Sequence, residues 1–134
     1  MAKETITKEK TDKVAEVTSK RRFVKVTPDK VRTAAALVKG KNAVVALGIL
    51  DFSSLAAAKP LILTLKNAIS IAKDRDLKED DLQVSIIRVD EGPKLKRRRI
   101  VHQGRATAIL KRMSHITVVL TDKPNIKSKV KKIK

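Results

Sequence analysis

The chain has 134 residues, 32 Lys/Arg against 14 Asp/Glu for a formal net charge of +18, no Cys, Trp or Tyr, and two Phe. That length suits one domain with a modest core, while the lack of Cys excludes disulfides, zinc–thiolate sites and thiol nucleophiles, and two aromatics leave almost no platform for stacking single-stranded bases. The charge is uneven: residues 92–134 hold fourteen Lys/Arg against Asp122 alone, whereas residues 27–91 hold ten against nine acids, so a nearly neutral body carries a basic appendage suited to a polyanion.

Residues 1–18 are charged, mixed in sign and poor in large apolar groups, so a flexible N-terminal extension is expected there. No apolar run that would serve as a secretory signal occurs in the first twenty residues, and the acids among them argue against a transit peptide, which points to the cytosol. Folding is expected from about Ser19, with Lys20 to Val26 as a short strand approached by Lys20, Arg21, Arg22 and Lys25. Thr27-Pro28-Asp29 then carries helix-start signals: a capping hydroxyl, a proline where no donor is needed, and an acid at the positive end of the dipole. Val31, Ala34, Ala35 and Val38 follow at helical spacing, and Gly40 supplies a left-handed stop after Lys39.

Ala43 to Leu50 reads as a second short helix. A third, capped by Ser53 or Ser54 and running to about Lys73, must be kinked or delayed by Pro60. Leu61, Leu65, Ala68, Ile69 and Ala72 mark it as the central core helix. The acidic stretch Asp74 to Asp81 is a turn without a calcium-loop pattern.

Leu82 to Val89 alternates and then shifts phase at Ile86-Ile87, as a bulged strand does. Ala106 to Leu120 is a second strand, with Ile116, Val118 and Leu120 on one face and His115, Thr117 and Val119 on the other. Paired as a hairpin over about 86–111, each arm spans on the order of 40 Å at ~3.3 Å per residue, against a radius of gyration of ~13 Å for a body of this size. The fold class is therefore α+β: three helices on a small antiparallel sheet with a long, protruding, basic β-hairpin. Residues 19–121 form the single domain, and 122–134 a basic C-terminal tail.

The hairpin's outer half, Lys94 to Arg105, has no core of its own, and a lone two-stranded ribbon is marginal in water. Its cations, above all Arg97, Arg98 and Arg99, suit phosphates and bases. Catalysis is not expected. Ser114 and His115 are adjacent on a strand and point to opposite faces, so they cannot form a simple nucleophile–base pair. An architectural DNA-binding protein laying a basic hairpin arm in a groove is the competing reading, although only Ile100 and Val101 could serve as an apolar wedge.

Three segments occur in one order: Pro28-Asp29-Lys30-Val31-Arg32 through Gly40-Lys41; Val89-Asp90-Glu91-Gly92-Pro93; and Gly104-Arg105-Ala106 followed by Ile109-Leu110-Lys111-Arg112 and Ser114-His115-Ile116-Thr117-Val118-Val119. In these the chain resembles the bacterial-type ribosomal protein L-twenty-two family, universal in the large ribosomal subunit, over roughly Arg22 to Thr121. The resemblance implies a non-enzymatic, cytoplasmic constituent of that subunit without cofactor or metal. Such a protein binds large-subunit ribosomal RNA, aids assembly and lines part of the nascent-peptide exit tunnel. Lys30, Arg32, Lys41, Lys96, Arg97, Arg105, Lys111 and Arg112 are the RNA-facing cations it implies, and Lys20, Arg21, Arg22, Lys25, Lys39, Lys94, Arg98 and Arg99 complete the candidate set. By position, Arg98, Arg99, Ile100, Val101, His102, Gln103 and Gly104 form the tip facing the nascent peptide. Neighbouring ribosomal proteins are the other implied partners; membrane insertion and homo-oligomerisation are not expected.

Overall fold

The computed structural model describes residues 15–122, so residues 1–14 of the expected extension and residues 123–134 of the basic tail lie outside the described residues. The elements run β1 (Glu16–Val24), α1 (Pro28–Val38), α2 (Ala43–Phe52), α3 (Ala58–Lys73), a 3-10 turn (Glu79–Asp81), β2 (Gln83–Ile100) and β3 (Ala106–Thr121). The sheet order is β1-β3-β2 with both pairings antiparallel. This is the expected α+β architecture, and the strand following the tip is its central one.

Strand β1 begins earlier than Lys20 and ends before Val26. Glu16 pairs with Thr121, Val17 is wholly buried, and the Arg75 guanidinium donates to the Glu16 carbonyl at 2.9 Å. Residues 16–18 thus belong to the sheet rather than to an extension. At its other end the register shifts between Arg21 and Val24, where Phe23 adopts a φ of 58°.

Helix α1 starts on Pro28 as the local signals dictate, although the Thr27 side chain makes no capping bond. It stops before Lys39 because Gly40 takes a φ of 77° and donates its N–H to Val84 at 2.9 Å, tying the helix end to β2. Helix α2 runs two residues past Leu50. Its cap is Asn42, whose side chain accepts from the Val44 amide at 2.9 Å. Neither Ser53 nor Ser54 caps α3, which starts at Ala58. Pro60 falls in its first turn, where the backbone N–H has no intrahelical acceptor and its loss costs nothing.

All three helices cover one face of the sheet. Val17, Val84, Ile116, Val118 and Leu120 face Val31, Val38, Leu50, Leu61, Leu65 and Leu82, all fully buried in one cluster. Small side chains, Ala34, Ala46, Ala68 and Ala72 among them, are also fully buried and let the layers approach closely. No helix among the described residues is long and apolar enough to cross a membrane.

The β2–β3 ladder runs from Gln83 opposite Thr121 to Ile100 opposite Ala106, longer at its base than the expected 86–111. Two register shifts interrupt it, between Val84 and Ile86 and between Glu91 and Lys94. The first is the bulge signalled by the phase change. The second separates two environments: Met113 is buried and Ser114 to Leu120 alternate buried with half-buried, whereas every residue from Pro93 to Arg112 is exposed.

Candidate nucleic-acid interface

The outer ladder is a ribbon without a core. Opposite residues on antiparallel strands share a face, so the register sorts the side chains into two sets. One face carries Lys94 with Arg112, Lys96 with Leu110, Arg98 with Ala108, and Ile100 with Ala106; the other carries Leu95 with Lys111, Arg97 with Ile109, and Arg99 with Thr107. Both faces are therefore cationic. Most cations sit opposite a small or apolar residue, which leaves their charge unmatched across the ribbon.

Carboxylates are almost absent here. Lys94 pairs with Glu91 at 3.3 Å, but Lys96, Arg97, Arg98, Arg99, Arg105, Lys111 and Arg112 have no carboxylate partner among the described residues. Lys94 and Arg112, directly opposite each other, repel by a cost of ~0.2–1 kcal/mol. Lys96, Arg97, Arg98, Ala108 and Leu110 frame a shallow open concavity of about 730 Å³, an apolar floor edged by cations.

The tip closes tightly. Val101 donates to the Arg105 carbonyl at 2.9 Å, and Arg105 donates back to the His102 carbonyl at 3.4 Å. Between them Gln103 and Gly104 take φ of 59° and 68°, the consecutive left-handed pair that a type I′ turn requires. Gly104 adopts this without a Cβ penalty, whereas Gln103 does so as a strained residue. Ile100, 84% exposed, stands beside the turn.

The other candidates fall into two groups on the body. Lys20 and Arg22 lie on β1, with Lys20 opposite Thr117 on the sheet face that carries no helix. Arg21, opposite the buried Ile116, belongs to the other face, and Lys25 follows the strand. Lys30, Arg32, Lys39 and Lys41 lie on or just after α1. Arg32 is already engaged, donating to Asp29 at 2.8 Å and to the Val89 carbonyl at 3.3 Å, while Lys30 is exposed without a carboxylate partner among the described residues. Arg88 was missed: it is opposite Thr117 in β2, in the same row as Lys20. Its i, i+2 spacing to Asp90, which it binds at 2.9 Å, was the only signal in the sequence.

Ser114 and His115 form no nucleophile–base pair. Ser114 is buried while His115 is half-buried, on opposite faces of β3, and Nδ1 of His115 accepts the Phe23 amide at 3.0 Å. Among the described residues no three His, Asp or Glu side chains are grouped to hold a metal ion. The acidic turn serves structure: Glu79 pairs with Lys73, and the Asp80 carbonyl accepts from the Asn42 side chain.

The family model described as ribosomal protein L22p/L17e matches residues 19–121. A large ribosomal subunit protein uL22 of Desulfitobacterium hafniense (strain DSM 10664 / DCB-2) is 45% identical over 103 residues, 76% of this chain and 90% of that protein. One from Bifidobacterium longum (strain DJO10A) is 45% identical over 108 residues, covering 76% and 91%. The match spans all three helices and the whole cationic ribbon, and the chain belongs to the ribosomal protein L22p/L17e family, a family of ribosomal structural proteins and not of enzymes.

Proposed function

We propose that the chain is a structural constituent of the large ribosomal subunit in the cytoplasm, gripping large-subunit ribosomal RNA with its ribbon and presenting residues 98–104 to the nascent peptide in the exit tunnel. One observation carries this reading. Unpaired cations occupy both faces of a strand pair that buries none of its side chains between Pro93 and Arg112. A ribbon of that kind is held straight by polyanion on both sides, which a folded ribosomal RNA supplies and a single duplex groove does not. The curated relatives are named as large-subunit proteins, and family membership brings the same assignment here.

Binding of this sort weakens with salt as condensed counterions are released, by a slope of about 0.7–0.9 per phosphate contact. Competition between a large-subunit ribosomal RNA fragment and duplex DNA over a salt series tests the reading. Preferential protection of the ribosomal fragment, and cosedimentation with large subunits after a high-salt wash, are expected. Equal or tighter binding to duplex DNA would overturn it in favour of the DNA-arm reading.

A further inference from the structure

The sheet face that carries no helix holds a second cationic hollow, apart from the ribbon. Lys20, Thr117 and Arg88 form one cross-strand row, and His115 and Asp90 lie opposite each other in the next. With Arg22 they line a concavity of about 320 Å³. Three cations face one acid there, and Asp90 is bound by Arg88 at 2.9 Å. Lys20 and Arg22 have no carboxylate partner among the described residues.

Phe23 contacts two of the residues that line this hollow, His115 and Arg22. A bulky aromatic at a φ of 58° is a strained residue of the kind that persists only when its surroundings over-determine it. Here its amide donates to Nδ1 of His115 at 3.0 Å, and the two rings meet edge to face at 5.0 Å and 89°. The Arg22 guanidinium lies 5.3 Å from the Phe23 ring centroid, a cation–π distance that restrains it.

The hydrogen bond also fixes the imidazole's chemistry. A ring nitrogen that accepts an amide proton carries none of its own, so the neutral ring holds its proton on Nε2 and presents a donor there. His115 lines the hollow, and Nε2 has no acceptor among the described residues. The amide of the strained Phe23 thus leaves His115 with one N–H donor in a hollow that Lys20 and Arg22 also line.

We propose that this hollow is a second RNA-backbone site, taking a phosphodiester that accepts from Nε2–H of His115 and is flanked by Lys20 and Arg22. Arg88 is held beside it by Asp90, so the acid is neutralised before an anion arrives. The site rests on the ribosomal reading above and extends it, because the body then grips RNA independently of the hairpin.

The test uses the full chain, large-subunit ribosomal RNA and hydroxyl-radical footprinting. The double variant Lys20→Gln/Arg22→Gln changes two exposed side chains. It is expected to lower the salt slope by about 1.4–1.8, two contacts' worth, and to lose protection over one RNA segment while the segment guarded by the ribbon stays protected. His115→Phe keeps an aromatic ring beside Phe23 and removes the donor; loss of protection within that same segment is expected. Unchanged slope and footprint in the double variant would overturn the proposal. Failure of the ribosomal reading is seen separately, as a wild-type chain that prefers duplex DNA.

Discussion

Gly92 lies so close to β3 that a Cβ placed on it would stand 3.1 Å from both the carbonyl carbon and the carbonyl oxygen of Met113. The contact sits at the second register shift, between Glu91 and Lys94, where the half-buried sheet becomes the bare ribbon. Because the opposing atoms are backbone of the central strand, no side chain can swing away to make room.

Gly92→Ala is therefore expected to destabilise the fold by about 1–3 kcal/mol, the cost of overpacking a close contact. Gly48→Ala is the counterpart: Gly48 lies on the exposed side of α2 with nothing within 4 Å of a Cβ. There the gain in helix propensity is expected to stabilise by about 0.5–1 kcal/mol. Denaturant unfolding of both variants checks the pair, and the opposite sign in either would refute the local geometry argued for it.

Ser114 presents a different case, since its buried Oγ has no hydrogen-bond partner among the described residues. A buried polar atom without a partner carries a desolvation penalty of roughly 1–3 kcal/mol. Ser114→Ala is accordingly expected to leave stability unchanged or raise it by about 1 kcal/mol. A clear loss in urea unfolding would mean that the hydroxyl is satisfied in solution.

Those local effects show which features the sequence discloses. Pro28, Gly40 and Pro60 act through their own backbone chemistry, so the helix limits near them are legible one residue at a time, and Ile116, Val118 and Leu120 announce a buried strand face by alternation. The start of β1 is not legible in that way: Val17 is a single apolar residue among Glu16, Thr18 and Ser19, and its burial depends on α3 packing against β1 and on pairing with Leu120 of β3. Nor does the sequence flag Phe23 as left-handed, a conformation that composition leads one to expect of Gly or Asn. The ribbon's charge was plain from Lys94 to Arg112, but its division into two cationic faces needs the register. The hollow beside His115 needs all three strands at once.

Removing the ribbon separates folding from binding. Joining Lys94 to Arg112, which already oppose each other, through an Asn-Gly turn in place of residues 95–111 removes no core side chain. Unfolding free energy is expected to stay within about 1 kcal/mol of the parent. Six cations are lost, so the salt slope for ribosomal RNA is expected to fall by about 4–5 when each holds a phosphate. A parent-like slope would show that the body supplies the binding.

The register also predicts that neither side of the ribbon is idle. Lys96 and Arg98 share one face, Arg97 and Arg99 the other, so two double variants to Gln of equal charge change separate the faces. If RNA packs on both sides, each variant is expected to lower the salt slope by about 1.4–1.8, and the two together by the sum of the separate losses, because the sites share no partner. If the ribbon lies flat on one RNA surface, one variant lowers the slope and the other leaves it near the parent value. A ribbon lying in a single duplex groove predicts the same asymmetry, so the comparison tests the threaded arrangement directly. The apolar floor of Ala108 and Leu110 lies on the face of Lys96 and Arg98. Leu110→Ala provides an internal control: it is expected to alter affinity without altering the salt slope, since it removes contact area and no charge.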